Sequence, residues 1–164
     1  MAVNVAVLTV SDRSKDGIYE DKSGPLLVDI IRQSTEWNIS DVAVVKDEIE
    51  DIKATLVNWC AEDVNLILTT GGTGFGMRDR TPEATRMVIE KDAPGISETL
   101  RSESLKITPY AMLSRGVSGI AGTTLIINLP GNPRAVGESM EILLPILPHA
   151  LELLAGSTHA HHDV

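Results

Sequence analysis

The chain has 164 residues, 43% of them hydrophobic, and its 23 acids against 14 bases give a formal net charge of −9. That length suits one domain with one core, and an acidic balance without a Lys/Arg run excludes a duplex-binding protein, which needs a basic face. The single cysteine, Cys60, excludes an internal disulfide and a cysteine metal cluster. No run reaches the ~18 apolar residues of a membrane span, and no basic leader precedes Val3, so the expectation is a cytoplasmic protein.

Residues 3–10 (VNVAVLTV) form a β-branched apolar run that ends at the polar Ser11-Asp12-Arg13, which predicts a buried strand followed by a surface loop over 13–23. Ser23-Gly24-Pro25 opens a helix with Leu26, Leu27, Ile30 and Ile31 at helical spacing. Residues 42–45 predict a second strand, and Ile49, Ile52, Leu56 and Cys60 share one face of the helix after it. Residues 64–70 (VNLILTT) predict a third strand that runs into Gly71-Gly72. Thr81-Pro82 is an N-cap residue followed by proline at the first helical position. Pro94-Gly95 breaks the chain ahead of another helix to Leu105, and residues 125–129 (LIINL) predict a fourth strand. Gly131-Asn132-Pro133 repeats the cap-and-proline start for a helix through Leu144, Pro145 begins a last helix to Leu154, and residues 157–164 read as a flexible tail.

Strand–helix alternation with almost continuously apolar strands predicts an α/β fold over residues 1–156: a three-layer sandwich, its mostly parallel sheet flanked by helices on both faces. In such sheets ligands bind beyond the carboxyl ends of the strands, where loops lead into helix N-termini. That rule selects the loops at Ser11-Asp12, at Asp47-Glu48, from Gly71 to Thr81, and at Pro130-Gly131-Asn132.

Among them, Thr69-Thr70-Gly71-Gly72-Thr73-Gly74-Phe75-Gly76 holds four glycines in six residues. Such a backbone turns N–H groups inward and approaches a phosphate closely, although a tight turn with no ligand has the same composition. Neither common nucleotide fingerprint fits, because Met77 and Arg78 follow where a Walker lysine or a further glycine belongs. Asp79, ahead of the Thr81-Pro82 helix, reads either as a helix-dipole acid or as a magnesium ligand beside phosphates. Asp47, at the end of a strand, reads either as a helix cap or as the second such ligand. Ser114-Arg115 offers a hydroxyl and a cation to an anionic substrate, or an ordinary surface arginine. Cys60, Trp37 and Trp59 read as packing residues, and the tail histidines His159, His161 and His162 as disordered.

The segments LTVSDR (8–13), DKSGP (21–25), KDEIEDIK (46–53), LILTTGGTGF (66–75), RDRTPEAT (78–85), APG (93–95), LSR (113–115) and LIINLPGNP (125–133) occur together and in order. In these the chain resembles the molybdopterin adenylyltransferases, which comprise the bacterial Mog-type enzymes and the plant and gephyrin G domains, with the MoaB type as a sister group. The resemblance implies the molybdenum-cofactor-binding fold and a homotrimer. It implies transfer of AMP from ATP to the terminal phosphate of molybdopterin with release of pyrophosphate, dependent on Mg2+, ahead of a molybdate-inserting partner enzyme. Carried over by position, Asp47 and Asp79 are the catalytic acids and magnesium ligands. Ser11, Asp12, Thr70, Gly71, Gly72, Thr73, Gly74, Ser114, Arg115, Pro130, Gly131 and Asn132 are the ligand-contacting residues. Arg80 departs from the family's usual apolar residue (RDVTP). A molybdopterin-binding scaffold without efficient catalysis is the alternative that the same motifs allow.

Overall fold

Period-two alternation along the central strands decides the architecture. In β1 (Asn4–Val10), Val5 and Val7 face one side of the sheet while Ala6, Leu8 and Val10 face the other, and all of them are buried. A strand buried on both faces needs a helical layer on each. The computed structural model, which describes residues 2–156, has both layers. On one side lie α2 (Ser23–Ser34), α5 (Pro94–Leu105), α6 (Pro133–Leu143) and α7 (Leu147–Leu154); on the other lie α3 (Ile49–Ala61) and α4 (Thr81–Arg86).

Among the described residues the sheet has six strands, numbered along the chain: β1, β2 (Asn38–Val45), β3 (Leu66–Thr70), β4 (Lys91–Asp92), β5 (Ser118–Ala121) and β6 (Thr124–Leu129), paired in the order β2-β1-β3-β6-β5-β4. Strands β1, β2, β3 and β6 are parallel, and β5 and β4 add an antiparallel edge. This is the three-layer, mostly parallel arrangement expected. Leu27 and Ile31 on one layer and Ile52 and Leu56 on the other are wholly enclosed, and burial of each stabilises the fold by ~1.5–3 kcal/mol. No helix among the described residues is long and apolar enough to cross a membrane.

Several elements depart from expectation. The two antiparallel-paired strands beyond β6 were unread: β4 is two exposed residues, and β5 is Ser-Gly-Ile-Ala, too short and too weakly apolar to carry a period. Strand β2 starts at Asn38 rather than at residue 42; its first half is largely polar and exposed and so carried no apolar run. The predicted loop at 13–23 begins as a four-residue helix, α1 (Asp12–Lys15), capped where the Ser11 hydroxyl accepts from the Ser14 amide at 3.1 Å. Thr81 is not the cap of α4. Arg80 holds that place, and the buried Thr81 hydroxyl turns back to donate to the Gly71 carbonyl at 2.9 Å. Trp59 is a packing residue whose indole also donates to Asp41. The tail histidines and the rest of 157–164 lie outside the described residues.

Candidate active site

The parallel topology gathers the carboxyl ends of β1, β2, β3 and β6 at one edge of the sheet. There the β3–α4 loop turns sharply. Gly71 and Gly72 have φ of +94° and +66°, a region that costs a residue with a Cβ ~1–2 kcal/mol. A Cβ on Gly71 would run into the Val10 carbonyl, and one on Gly131 would stand 3.3 Å from the Gly71 Cα. Strand β1, the glycine loop and the Pro130–Asn132 turn are therefore packed backbone to backbone. Side chains finish the bracing: the Thr70 hydroxyl donates to the Pro130 carbonyl at 2.7 Å and the Ser23 hydroxyl to the Gly131 carbonyl at 2.6 Å.

These two loops form a wall with a cleft on either side. The first cleft, about 260 Å³, has Ser11, Asp47, Thr70, Gly71, Gly72, Asp79 and Gly131 on its walls. The second, about 430 Å³, takes Thr73, Gly74, Ser114, Pro130 and Asn132 from the same loops. It adds apolar surface from Leu100, Tyr110, Leu113 and Ala135.

The acids of the first cleft are positioned by backbone. Asp47 Oδ2 accepts from the Asp12 amide at 2.8 Å, while the Asp47 amide donates to Asp12 Oδ1 at 3.0 Å. Asp79 Oδ2 accepts from the Gly76 amide at 2.8 Å. A Cβ on Gly72 would stand 3.1 Å from Asp47 Oδ1, and one on Gly74 2.9 Å from Asp79 Oδ2, so both carboxylates lie against the glycine backbone. Burial pushes the Asp47 carboxyl above its usual range, and repulsion from Asp12 and Asp79 adds to the rise. A site that raises a carboxyl's pKa this way favours whatever neutralises it, a proton or a cation.

Asp12, expected among the ligand contacts, is bonded to Asp47 and is absent from the residues that line the first cleft. The Arg78 guanidinium takes both its oxygens, at 2.5 and 3.1 Å, and holds its carboxyl below the usual range. Arg115 is likewise engaged with protein. It donates to the carbonyls of Gly74 and Asp79, at 2.7 and 2.8 Å, and pairs with Glu83, while its own amide donates to the Thr73 carbonyl at 2.8 Å. That clasp holds the glycine loop from within. Among the described residues, the Gly71 amide is bonded to Leu129, whereas no protein group accepts from the amides of Gly72, Thr73 or Gly74. Successive unsatisfied amides of this kind bind anions.

Several residues on these walls escaped the sequence reading. Asp21, whose carboxylate binds the Thr9 hydroxyl and the Gly24 amide, faces the first cleft with Tyr19 and Lys22; DKSGP was the available signal. In the second cleft stand Arg101, Thr108 and the buried Asn128. The Asn128 amide group donates to the Thr69 and Thr85 hydroxyls at 3.0 Å and accepts from the Val117 amide.

A magnesium ion fits the first cleft by donor chemistry. No set of three His, Cys, Asp or Glu groups is assembled among the described residues, but Mg2+ characteristically takes one or two carboxylates and completes its shell with phosphate oxygens and water. Asp47 and Asp79 supply that number.

A family model described as "Probable molybdopterin binding domain" matches residues 6–149. The chain is 39% identical to a molybdopterin adenylyltransferase of Helicobacter pylori over 94% of its own length and 89% of the relative's. It is 45% identical to a gephyrin of Dictyostelium discoideum over 92% of its length, and spans only 22% of that larger protein. The crystal structure of a molybdopterin biosynthesis enzyme MoaB from Thermus superimposes with a TM-score of 0.88 at 44% identity, covering 94% of this chain and 98% of that one.

Proposed function

The chain belongs to the molybdopterin-binding domain family of molybdenum-cofactor synthesis, and from that premise we propose that it is a Mg-ATP-dependent molybdopterin adenylyltransferase. The observation that carries this reading is the pair of clefts meeting at one wall, the first holding Asp47 and Asp79 against the glycine loop and the second lined largely by apolar and hydroxyl groups. Group transfer between two substrates needs both held with their reacting atoms adjacent. A shared wall of unsatisfied amides suits the phosphates that must meet there.

In the proposed reaction an oxygen of the molybdopterin terminal phosphate attacks the α-phosphorus of ATP. The new P–O bond forms as the bond to the bridging oxygen of the β-phosphate breaks, and pyrophosphate leaves with that electron pair. The attacking oxygen is already ionised, so no general base is required, in keeping with the acids being held by backbone amides rather than by a histidine. Asp47 and Asp79 would hold Mg2+, which when bound offsets triphosphate charge. The amides of Gly72, Thr73 and Gly74 would bind phosphate oxygens in place, as preorganised donors do where charge develops. Tyr110, Leu113 and Leu100 suit a heteroaromatic ring, with Ser114 and Thr108 as hydrogen-bonding partners.

ATP as co-substrate draws support from the adenylyltransferase relatives. Magnesium draws it from the donor set, and the homotrimer, cytoplasmic location and molybdate-inserting partner from resemblance. Asp47→Ala and Asp79→Ala are each expected to lose AMP transfer while retaining molybdopterin binding, followed by product chromatography and pterin fluorescence. Wild-type turnover in either variant would remove that acid from the catalytic assignment. Retention of tight pterin binding by a wild type that makes no adenylylated product would favour the scaffold reading.

A further inference from the structure

Asp47 and Asp79 stand on separate loops, and a cation shared between them requires a fixed gap. Asp79 is secured within its own loop by the Gly76 amide and by Arg115 at its carbonyl. Beyond the pairing of β2 with β1, the hydrogen bonds of Asp47 among the described residues are both to Asp12, amide to carboxylate in each direction. Among the described residues, one side chain hydrogen-bonds across between these two units. Arg78, the residue before Asp79, reaches over to grip both oxygens of Asp12 and, with the same NH2, Glu48 at 2.6 Å. It thus joins the glycine loop to the loops after β1 and β2.

We propose that Arg78 is a positioning residue that acts through Asp12 to set the Asp47–Asp79 gap for a divalent cation. This rests on the adenylyl-transfer reading for the cation's use, but not for its binding. A planar guanidinium can satisfy two acceptors of Asp12 and one of Glu48 together; a lysine ammonium lacks that fork. The alternative role of Arg78, simple neutralisation of a crowded acidic surface, predicts the opposite sign for cation binding. Removing a positive charge beside Asp12, Asp47, Glu48 and Asp79 would by itself strengthen attraction for a cation.

The experiment is Mn2+ binding to the full chain by electron paramagnetic resonance, with and without ATP, for wild type, Arg78→Ala, Arg78→Lys, Asp12→Asn and the Arg78→Ala/Asp12→Asn double variant, each with a melting temperature to establish folding. Positioning predicts Mn2+ affinity lowered about 10–100-fold in Arg78→Ala, the range seen when groups behind a metal ligand are lost. It predicts incomplete recovery in Arg78→Lys. It also predicts a double variant no worse than the weaker single, because both substitutions cut one connection. In steady-state assays kcat falls while the KM for molybdopterin is unchanged. Unchanged or tighter Mn2+ binding in folded Arg78→Ala overturns the inference. Should Arg78→Ala not fold, Arg78→Lys with wild-type Mn2+ affinity and kcat does so. Absence of AMP transfer in the wild type would defeat the functional reading instead, and leaves the metal titration able to decide this one.

Discussion

Gly72→Ala isolates what the glycine loop requires of its backbone. The position has φ of +66°, which costs an alanine ~1–2 kcal/mol. Its Cβ would also be forced into the Thr81 hydroxyl and to within 3.1 Å of Asp47 Oδ1. Thr81 is wholly enclosed, its hydroxyl serving the Gly71 carbonyl and its amide the Gly72 carbonyl, so displacing it forfeits roughly another 1 kcal/mol or more of hydrogen bonding. The sum, about 2–4 kcal/mol, should lower the melting temperature of a chain this size by roughly 5–15 °C. Gly137→Ala is the internal control. It lies inside α6 with nothing within 4 Å of an added Cβ, and should gain about 0.5–1 kcal/mol from helix propensity. Differential scanning calorimetry of both variants reads the contrast directly. Equal melting temperatures, or a Gly72→Ala protein as stable as wild type, would refute the claim that this turn depends on glycine.

Asn128→Ala removes an amide that ties β6 to the Thr69 and Thr85 hydroxyls and to the Val117 amide. It should cost about 1–3 kcal/mol in urea unfolding, and a change within ~0.5 kcal/mol would mean that the network re-forms without it. Asp47→Asn tests the raised carboxyl. The folded-state pKa lies above the usual aspartate value, so ionisation costs stability as pH rises through it, and the cost is absent below. The melting temperature of Asp47→Asn should thus exceed that of wild type at neutral pH without metal, with the gap closing as pH falls through the carboxylate range. A gap that widens instead would reverse the sign assigned. Arg115→Lys should weaken the fold and slow transfer, because a compact ammonium lacks the planar fork that spans Gly74, Asp79 and Glu83; full activity with wild-type stability would show that the clasp is dispensable.

Strands β1, β3 and β6 were legible as apolar runs because burial on both faces leaves few polar positions, mostly threonine, to blur the signal. Helix α6 was legible from Asn132-Pro133, whose cap geometry is local: the Asn132 side chain accepts from the Arg134 amide. What stayed hidden depends on contacts between distant segments. Nothing near Arg78 in the chain foretells that it reaches Asp12 and Glu48, sixty-six and thirty residues away. The second cleft was only half visible. Its Ser114, Pro130 and Asn132 come from recognisable motifs, whereas Ser97 and Arg101 stand on α5, whose buried face amounts to Ser97 and Leu100. Thr81 shows the same limit in miniature, a residue of cap type whose hydroxyl is claimed by a tertiary partner.

The most direct test of the account is a single-turnover reaction of the wild-type chain with molybdopterin and labelled ATP, following pyrophosphate and adenylylated pterin together. The account predicts that both appear in equal amounts, only when molybdopterin and Mg2+ are present. Molybdopterin bound tightly with ATP left intact under those conditions would contradict it.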